Sequence, residues 1–212
     1  SAVTSELETL YATRRQTFSA ASERLDASDD EAERRTAIDR MRSLAVRYED
    51  LAETAVEQFT EELEEGEDDT RRRVAEAIRR ISAVHPETTE SYRGPLRRAL
   101  NDDHPNVRLD AARALVLLAE AGCESVELSA VVDSLIGLLH EHKRWFSQGP
   151  VAGLLGDLGR EHPSALGPAV EPLARFILGE LRGGSSTSGI GRSSAVQALV
   201  EIGARDFEMI ED

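Results

Sequence analysis

The chain has 212 residues, 40% hydrophobic but only 4% aromatic, and its 40 acidic against 25 basic residues give a formal charge of −15. A core short of aromatics is built from Leu, Ala, Val and Ile, which favours helices packed through small side chains over a β-sandwich. The negative field disfavours nonspecific binding to nucleic acid or to a membrane surface, and no apolar run approaches the roughly 20 residues that span a bilayer.

Taken in order, the sequence reads as helix after helix, with no strand-like alternation competing. The first helices of successive pairs (A) fall at about 5–25, 50–64, 88–101, 125–141 and 164–182. The second helices (B) fall at about 29–47, 69–84, 105–120, 147–160 and 190–204. Ser5-Glu6-Leu7-Glu8 and Ser28-Asp29-Asp30-Glu31 both fit the S-x-x-E capping box, in which hydroxyl and carboxylate satisfy free backbone N–H groups. Gly66, His85-Pro86 and His162-Pro163 mark breaks. The expected architecture is all-α: five helical hairpins in one domain over 1–212, with units at about 1–48, 49–86, 87–122, 123–162 and 163–206.

The B helices repeat one another. Val74-Ala75-Glu76-Ala77-Ile78 lies 37 positions before Ala111-Ala112-Arg113-Ala114-Leu115. Ala37-Ile38-Asp39-Arg40-Met41, Val151-Ala152-Gly153-Leu154-Leu155 and Ala195-Val196-Gln197-Ala198-Leu199 continue the series in both directions. Arg34, Arg71, Arg108 and Arg192 each stand three residues before their block, and Gln148 interrupts the row. In the third copy, Asp102-Asp103-His104-Pro105-Asn106-Val107-Arg108 leads into a helix whose Val107, Ala111, Ala114, Leu115 and Leu118 share one face.

These residues resemble the second half of a HEAT repeat, in particular the short HEAT-like type of phycobilisome lyase subunits. The resemblance is good in units two and three, fair in four and five, and weak in one. It implies an α-α superhelix, a solenoid whose concave side is lined by B helices and binds another protein. It also implies a ladder between the repeat arginine and an acidic turn residue. Asp102 and Arg108 match that ladder, whereas Ser28 and Ser186 take the acidic place in units one and five.

With 107, 111, 114, 115 and 118 turned to the core, 109, 113, 116 and 120 point the opposite way. The same register puts Arg35, Arg42, Arg72, Arg79 and Arg113 in a stripe along the first three B helices. Charge balance shifts with it: residues 65–122 hold 10 Arg against 11 acids, and 1–64 hold 8 against 16. Such a stripe suits an acidic or extended peptide, less readily a phosphate backbone, because guanidinium pairs bidentately with both anions. Alternatively it is a solvated face, with Asp39 and Glu76 neutralising their neighbours.

In unit four the same positions are Gly149, Gly153, Gly156 and Arg160. Interior helix glycine costs roughly 1 kcal/mol relative to alanine, so such a row marks close approach by another backbone. The visitor is a partner peptide, internal packing, the loop 183–191 or the tail Phe207-Glu208-Met209-Ile210. Trp145 and Phe146, at the A4–B4 turn, are either an exposed anchor for a partner or the lid of a local core.

Catalytic signals are thin. His140-Glu141-His142 and Glu161-His162 are similar to the His-Glu dyads of HEAT-like deoxyhypusine hydroxylase, but occur at non-matching repeat positions and in opposite order. Gly183-Gly184-Ser185-Ser186-Thr187-Ser188-Gly189-Ile190-Gly191 lacks the Lys-Ser/Thr ending of a phosphate loop and reads as a flexible linker. The acidic run from Glu61 to Asp69 reads as a solvated turn. The expectation is a non-enzymatic protein-binding scaffold without a cofactor. The alternatives are an accessory or catalytic protein of the bilin-lyase or metal-dyad kind and, less in keeping with the charge, a nucleic-acid binder. Acidity with a single lysine, Lys143, resembles proteins of salt-loving archaea. The lone Cys123 excludes an internal disulfide and favours the cytoplasm.

Overall fold

The computed structural model describes residues 2–123, 125–141, 148–178 and 189–205, and of 2–5, 7, 189–192 and 205 the backbone alone. Every regular element among them is helical. The α-helices are α1 (Ala2–Ala27), α2 (Glu31–Arg47), α3 (Glu49–Glu65), α4 (Asp68–Ser82), α5 (Pro86–Thr89), α6 (Arg93–Ala99), α7 (Pro105–Glu120), α8 (Leu128–Leu139), α9 (Gly149–Glu161), α10 (Val170–Leu178) and α11 (Gly189–Arg205). Short 3-10 turns fill Glu90–Tyr92, Pro163–Ala165 and Gly167–Ala169.

The elements pair in the expected order. α1 packs on α2, α3 on α4, α6 on α7, α8 on α9 and α10 on α11. The second helices then stack on one another as α2, α4, α7, α9 and α11, so substantial contacts join a hairpin to itself or to the next one. The chain is thus an all-α helical repeat wound as a superhelix. Ala37, Val74, Ala111, Val151 and Ala195, the first residues of the repeated blocks, are all buried. They belong to one continuous core that runs the length of the stack through Leu25, Met41, Phe59, Ile78, Leu118, Leu135, Leu155 and Leu173.

Spacing along the stack is uneven. α2 and α4, and α4 and α7, lie side by side over much of their length, whereas consecutive A helices touch sparingly. The B layer is therefore the inner one. α7 and α9 meet at few points, and α9 and α11 are pressed together.

Proline accounts for the two A helices that depart from expectation. Pro95 has no N–H for the carbonyl four residues back, and its ring crowds that turn. The helix expected at 88–101 is accordingly split into α5, a 3-10 turn and α6. Pro163 and Pro168 likewise turn the first part of 164–182 into two 3-10 turns, and α10 starts only at Val170.

The capping boxes are also corrected. α1 begins at Ala2, which puts Ser5 inside the helix. α2 is capped two residues later than Ser28, by Asp30, whose carboxylate accepts from the N–H groups of Ala32 (2.7 Å) and Glu33 (3.3 Å). Ser28 instead braces the cap by accepting from the Asp30 N–H. α7 ends as its sequence requires: Gly122 takes φ +91°, Gly122 N–H donates to Ala119 O and Cys123 N–H to Leu118 O. That is a Schellman closure, which needs the left-handed residue that glycine supplies most cheaply.

Candidate functional site

Each repeat arginine fastens two hairpins. Nη1 of Arg34 donates to Leu25 O (2.9 Å), that of Arg71 to Gly66 O (3.0 Å) and that of Arg108 to Asp102 O (2.8 Å), closing the turn inside its own unit. The rest of each guanidinium reaches forward to a carboxylate of the next unit. Arg34 pairs with Glu62, Arg71 holds Asp102 through Nε (2.8 Å) and Nη2 (3.3 Å), and Arg108 holds Glu141 at 2.6 Å. Hydrogen bonding to Asp102 raises the Arg71 pKa against the opposing pull of burial. Asp102 and Arg108 thus share the ladder in a way the sequence register does not give: Asp102 offers its carbonyl to Arg108 and its carboxylate to Arg71. In unit four Gln148 donates to Glu141 O (2.7 Å), taking over the turn contact that arginine makes in units one to three. Arg192 and Ser186 lie where no side chain is described.

The five arginines of the stripe do lie on the inner layer, and four of them, Arg35, Arg42, Arg72 and Arg79, are closely paired. Arg35 reaches Asp69 (3.3 Å) and Arg42 reaches Glu76 (3.5 Å), each on the next B helix. Arg72 pairs with Asp69 inside α4, and Arg79 Nε meets Asp110 Oδ1 of α7 at 2.7 Å. The neutralising pairs expected of a solvated face are present at Arg35, Arg42 and Arg72, with Asp69 as an unforeseen hub that also takes Arg73 at 2.8 Å. Arg113 differs. Its nearest carboxylate oxygen, on Asp110, is 3.9 Å away, and it donates no hydrogen bond to any described residue.

Two of the outward positions are corrected: Leu109 and Val116 are 6% and 3% exposed. A single-helix wheel assumes one buried face, but a B helix is covered by its own A helix and by B helices on both sides. The glycine row is also corrected. Gly156 is buried rather than outward-facing, and a Cβ there would lie 3.3 Å from Ala198 Cα of α11. Gly159, not singled out by the sequence, joins it, with a Cβ 2.9 Å from Ile202 Cγ1. The close visitor is thus α11. Gly153 has open space beside it, and Gly149 is half-buried. Trp145, Phe146, His142, residues 183–188 and the tail Phe207–Ile210 lie outside the described residues.

Where α7 and α9 part, the inner face opens into a cavity of about 680 Å³. Arg79 and Ala83 of α4, Arg113, Val116 and Leu117 of α7, and Leu154 and Arg160 of α9 line it, with Glu120, Asp157, Glu161 and His162 also at its walls. Of the eleven expected contact residues, this groove gathers Arg79, Arg113 and Arg160. Leu117, Leu154 and Asp110 had no signal of their own, because each reads as an ordinary helix residue until α7 and α9 diverge. Arg160 is loosely held, at 3.3 Å from Asp157 and 3.9 Å from Glu201.

Burial dominates the electrostatics of the groove. It pushes the Asp110 carboxyl up, against the attraction of Arg79 and Arg113 and with help from Glu76. It pushes the Arg113 guanidinium down, with Asp110 and Asp157 opposing and Arg79 assisting. Asp69 is the contrary case. Burial acts to raise it, but hydrogen bonds from Arg72 and Arg73 prevail and hold it well below the usual carboxylate range. A depressed carboxyl contributes stability above its unfolded pKa, about 3.9, and loses it as pH falls toward the folded value. A raised carboxyl contributes below that value and loses it as pH climbs through the folded one. In denaturant titrations between pH 6 and 3, Asp69→Asn should therefore flatten the acid loss of stability and Asp110→Asn should steepen it. Identical slopes would contradict these assignments.

Two of the other motifs are tied into the fold by their described residues. Glu141 is occupied by Arg108, and His140 Nδ1 lies 2.8 Å from Ile136 O. The acidic run is tied down rather than merely solvated: Glu62 to Arg34, Glu64 to Arg98, Asp68 to Arg71. Among the described residues no three His, Cys, Asp or Glu side chains converge as a metal site, and no helix is long and apolar enough to cross a membrane.

No family model matches the chain, and no curated protein matches it. Among solved structures it is similar to an engineered protein determined by the Northeast Structural Genomics Consortium, with a TM-score of 0.58 and 19% identity over 88% of this chain and 79% of that one. At that identity the likeness speaks for the fold alone.

Proposed function

We propose that this chain is a HEAT-like repeat protein and a non-enzymatic scaffold, which holds another protein in the groove between α7 and α9. The observation that carries this reading is the groove itself: it opens on the inner layer and combines an apolar floor with an arginine that lacks a close partner among the described residues. Helices already stacked and bridged lose little freedom when a partner docks, so binding is not taxed by ordering the receptor. The neutralised state of Arg35, Arg42 and Arg72 narrows the contact surface from the whole stripe to the α4–α7–α9 end. The acidic, lysine-poor surface accords with a cytoplasm rich in salt.

Site-specific photo-crosslinking in the cells that make the protein tests this reading. A crosslinker at Leu117, in the groove wall, should capture a discrete protein adduct, and one at exposed Glu57 on α3 should not. Equal capture from both positions, or capture from Glu57 alone, would refute it.

A further inference from the structure

The groove has a polarity that narrows what it accepts. At its base, Arg79 and Arg113 share one carboxylate, Asp110, and Arg79 takes the close contact at 2.7 Å. That leaves the Arg113 guanidinium, on a side chain 32% exposed, with no close hydrogen-bond acceptor among the described residues, attracted only at longer range by Asp110 and Asp157. Beside it lies an apolar floor of Val116, Leu117 and Leu154. The rim is acidic on balance, with Glu120, Asp157 and Glu161 against Arg160. A strongly acidic peptide would be repelled there before reaching Arg113. A single carboxylate on an apolar stem would pass, exchange water for the guanidinium and lay its stem on the leucines.

We infer that the groove captures the C-terminus of a partner polypeptide ending in aliphatic residues, with Arg113 receiving the terminal carboxylate and Leu117 and Leu154 the last side chain. This rests on the scaffold reading above and gives it a ligand chemistry. A main-chain terminus presents two oxygens to the planar donor fork of Arg113, a match that neither an amide nor an internal peptide bond offers.

The test is a library of random octapeptides displayed with free C-termini and panned against the full chain. The strongest binder is then made as the free acid and as the carboxamide, each labelled with fluorescein at the N-terminus. Anisotropy titration should show the acid binding roughly tenfold or more tightly than the amide, the scale of one charge-assisted hydrogen bond. Arg113→Gln should abolish that preference, and Arg160→Gln, at the rim, should keep most of it. The acid–amide comparison on the unaltered chain stands even where Arg113→Gln fails to fold. Equal binding of acid and amide overturns the inference, as does a preference that survives Arg113→Gln or a library that yields no binder. Binders held through internal residues overturn it too, yet leave the scaffold reading intact if the Leu117 crosslink persists. Displacement of the peptide by laurate at lower concentration than by its own unlabelled form would assign the groove to a lipid instead.

Discussion

Replacing Arg71 with alanine is expected to lower the free energy of unfolding by about 3 kcal/mol, the largest effect of any single charged residue in the stack. Arg71 and Asp102 are only 18% and 11% exposed, so truncation strands a carboxylate where water reaches it poorly. It also leaves Gly66 O without its guanidinium donor and severs the bridge between units two and three. Arg71→Lys should recover little, because an ammonium does not bond both carboxylate oxygens and the turn carbonyl at once. The exposed pair Arg97–Glu127, at 58% and 54%, supplies the contrast: Arg97→Ala should cost less than about 0.5 kcal/mol. Urea titrations of the three variants decide it. Equal losses for Arg71→Ala and Arg97→Ala would mean that the ladder is ornamental.

Gly159→Val should destabilise the last hairpin by about 2–3 kcal/mol, the usual cost of overpacking. Its Cβ alone already falls 2.9 Å from Ile202 Cγ1 and 3.6 Å from Ile202 N, so α11 must lift off α9. Gly153→Ala, on the same helix, meets nothing within 4 Å and should stabilise by up to about 1 kcal/mol through helix propensity. Opposite signs from two glycines six residues apart are the signature of a contact confined to one face. Thermal melts with the same sign for both would reject the α9–α11 packing described above.

These contrasts show what the sequence made legible. The hairpins were readable because small apolar residues recur with helical period inside each B helix and at near-regular spacing between them. Prolines at 95, 163 and 168 misled only on continuity. The ladder was readable at the donor end, since Arg34, Arg71 and Arg108 keep register. Its acceptors sit at unequal places, Glu62 inside the last turn of α3 and Asp102 and Glu141 beyond the ends of α6 and α8, so their pairing depends on how hairpins stack. Facing was harder still. Leu109 and Val116 looked outward on a wheel drawn for one helix, yet stacking on both sides buries them. Gly156 read as a point of close approach for either a partner or the chain's own packing, and α11 is what approaches it. The groove had no sequence signal of its own, because it arises from the divergence of α7 and α9 and not from any motif.

Stability in such a stack is a sum of hairpins and the interfaces between them, and the α7–α9 junction, crossed by the Arg108–Glu141 bridge but with the sparsest packing between neighbouring B helices, is the thinnest of these interfaces. Native-state hydrogen exchange in rising urea measures this directly. Amides of α9 and α11 should open together at a lower free energy than those of α2, α4 and α7, which remain protected as a block. A single opening free energy shared by all five helices would contradict the account and make the chain one indivisible core.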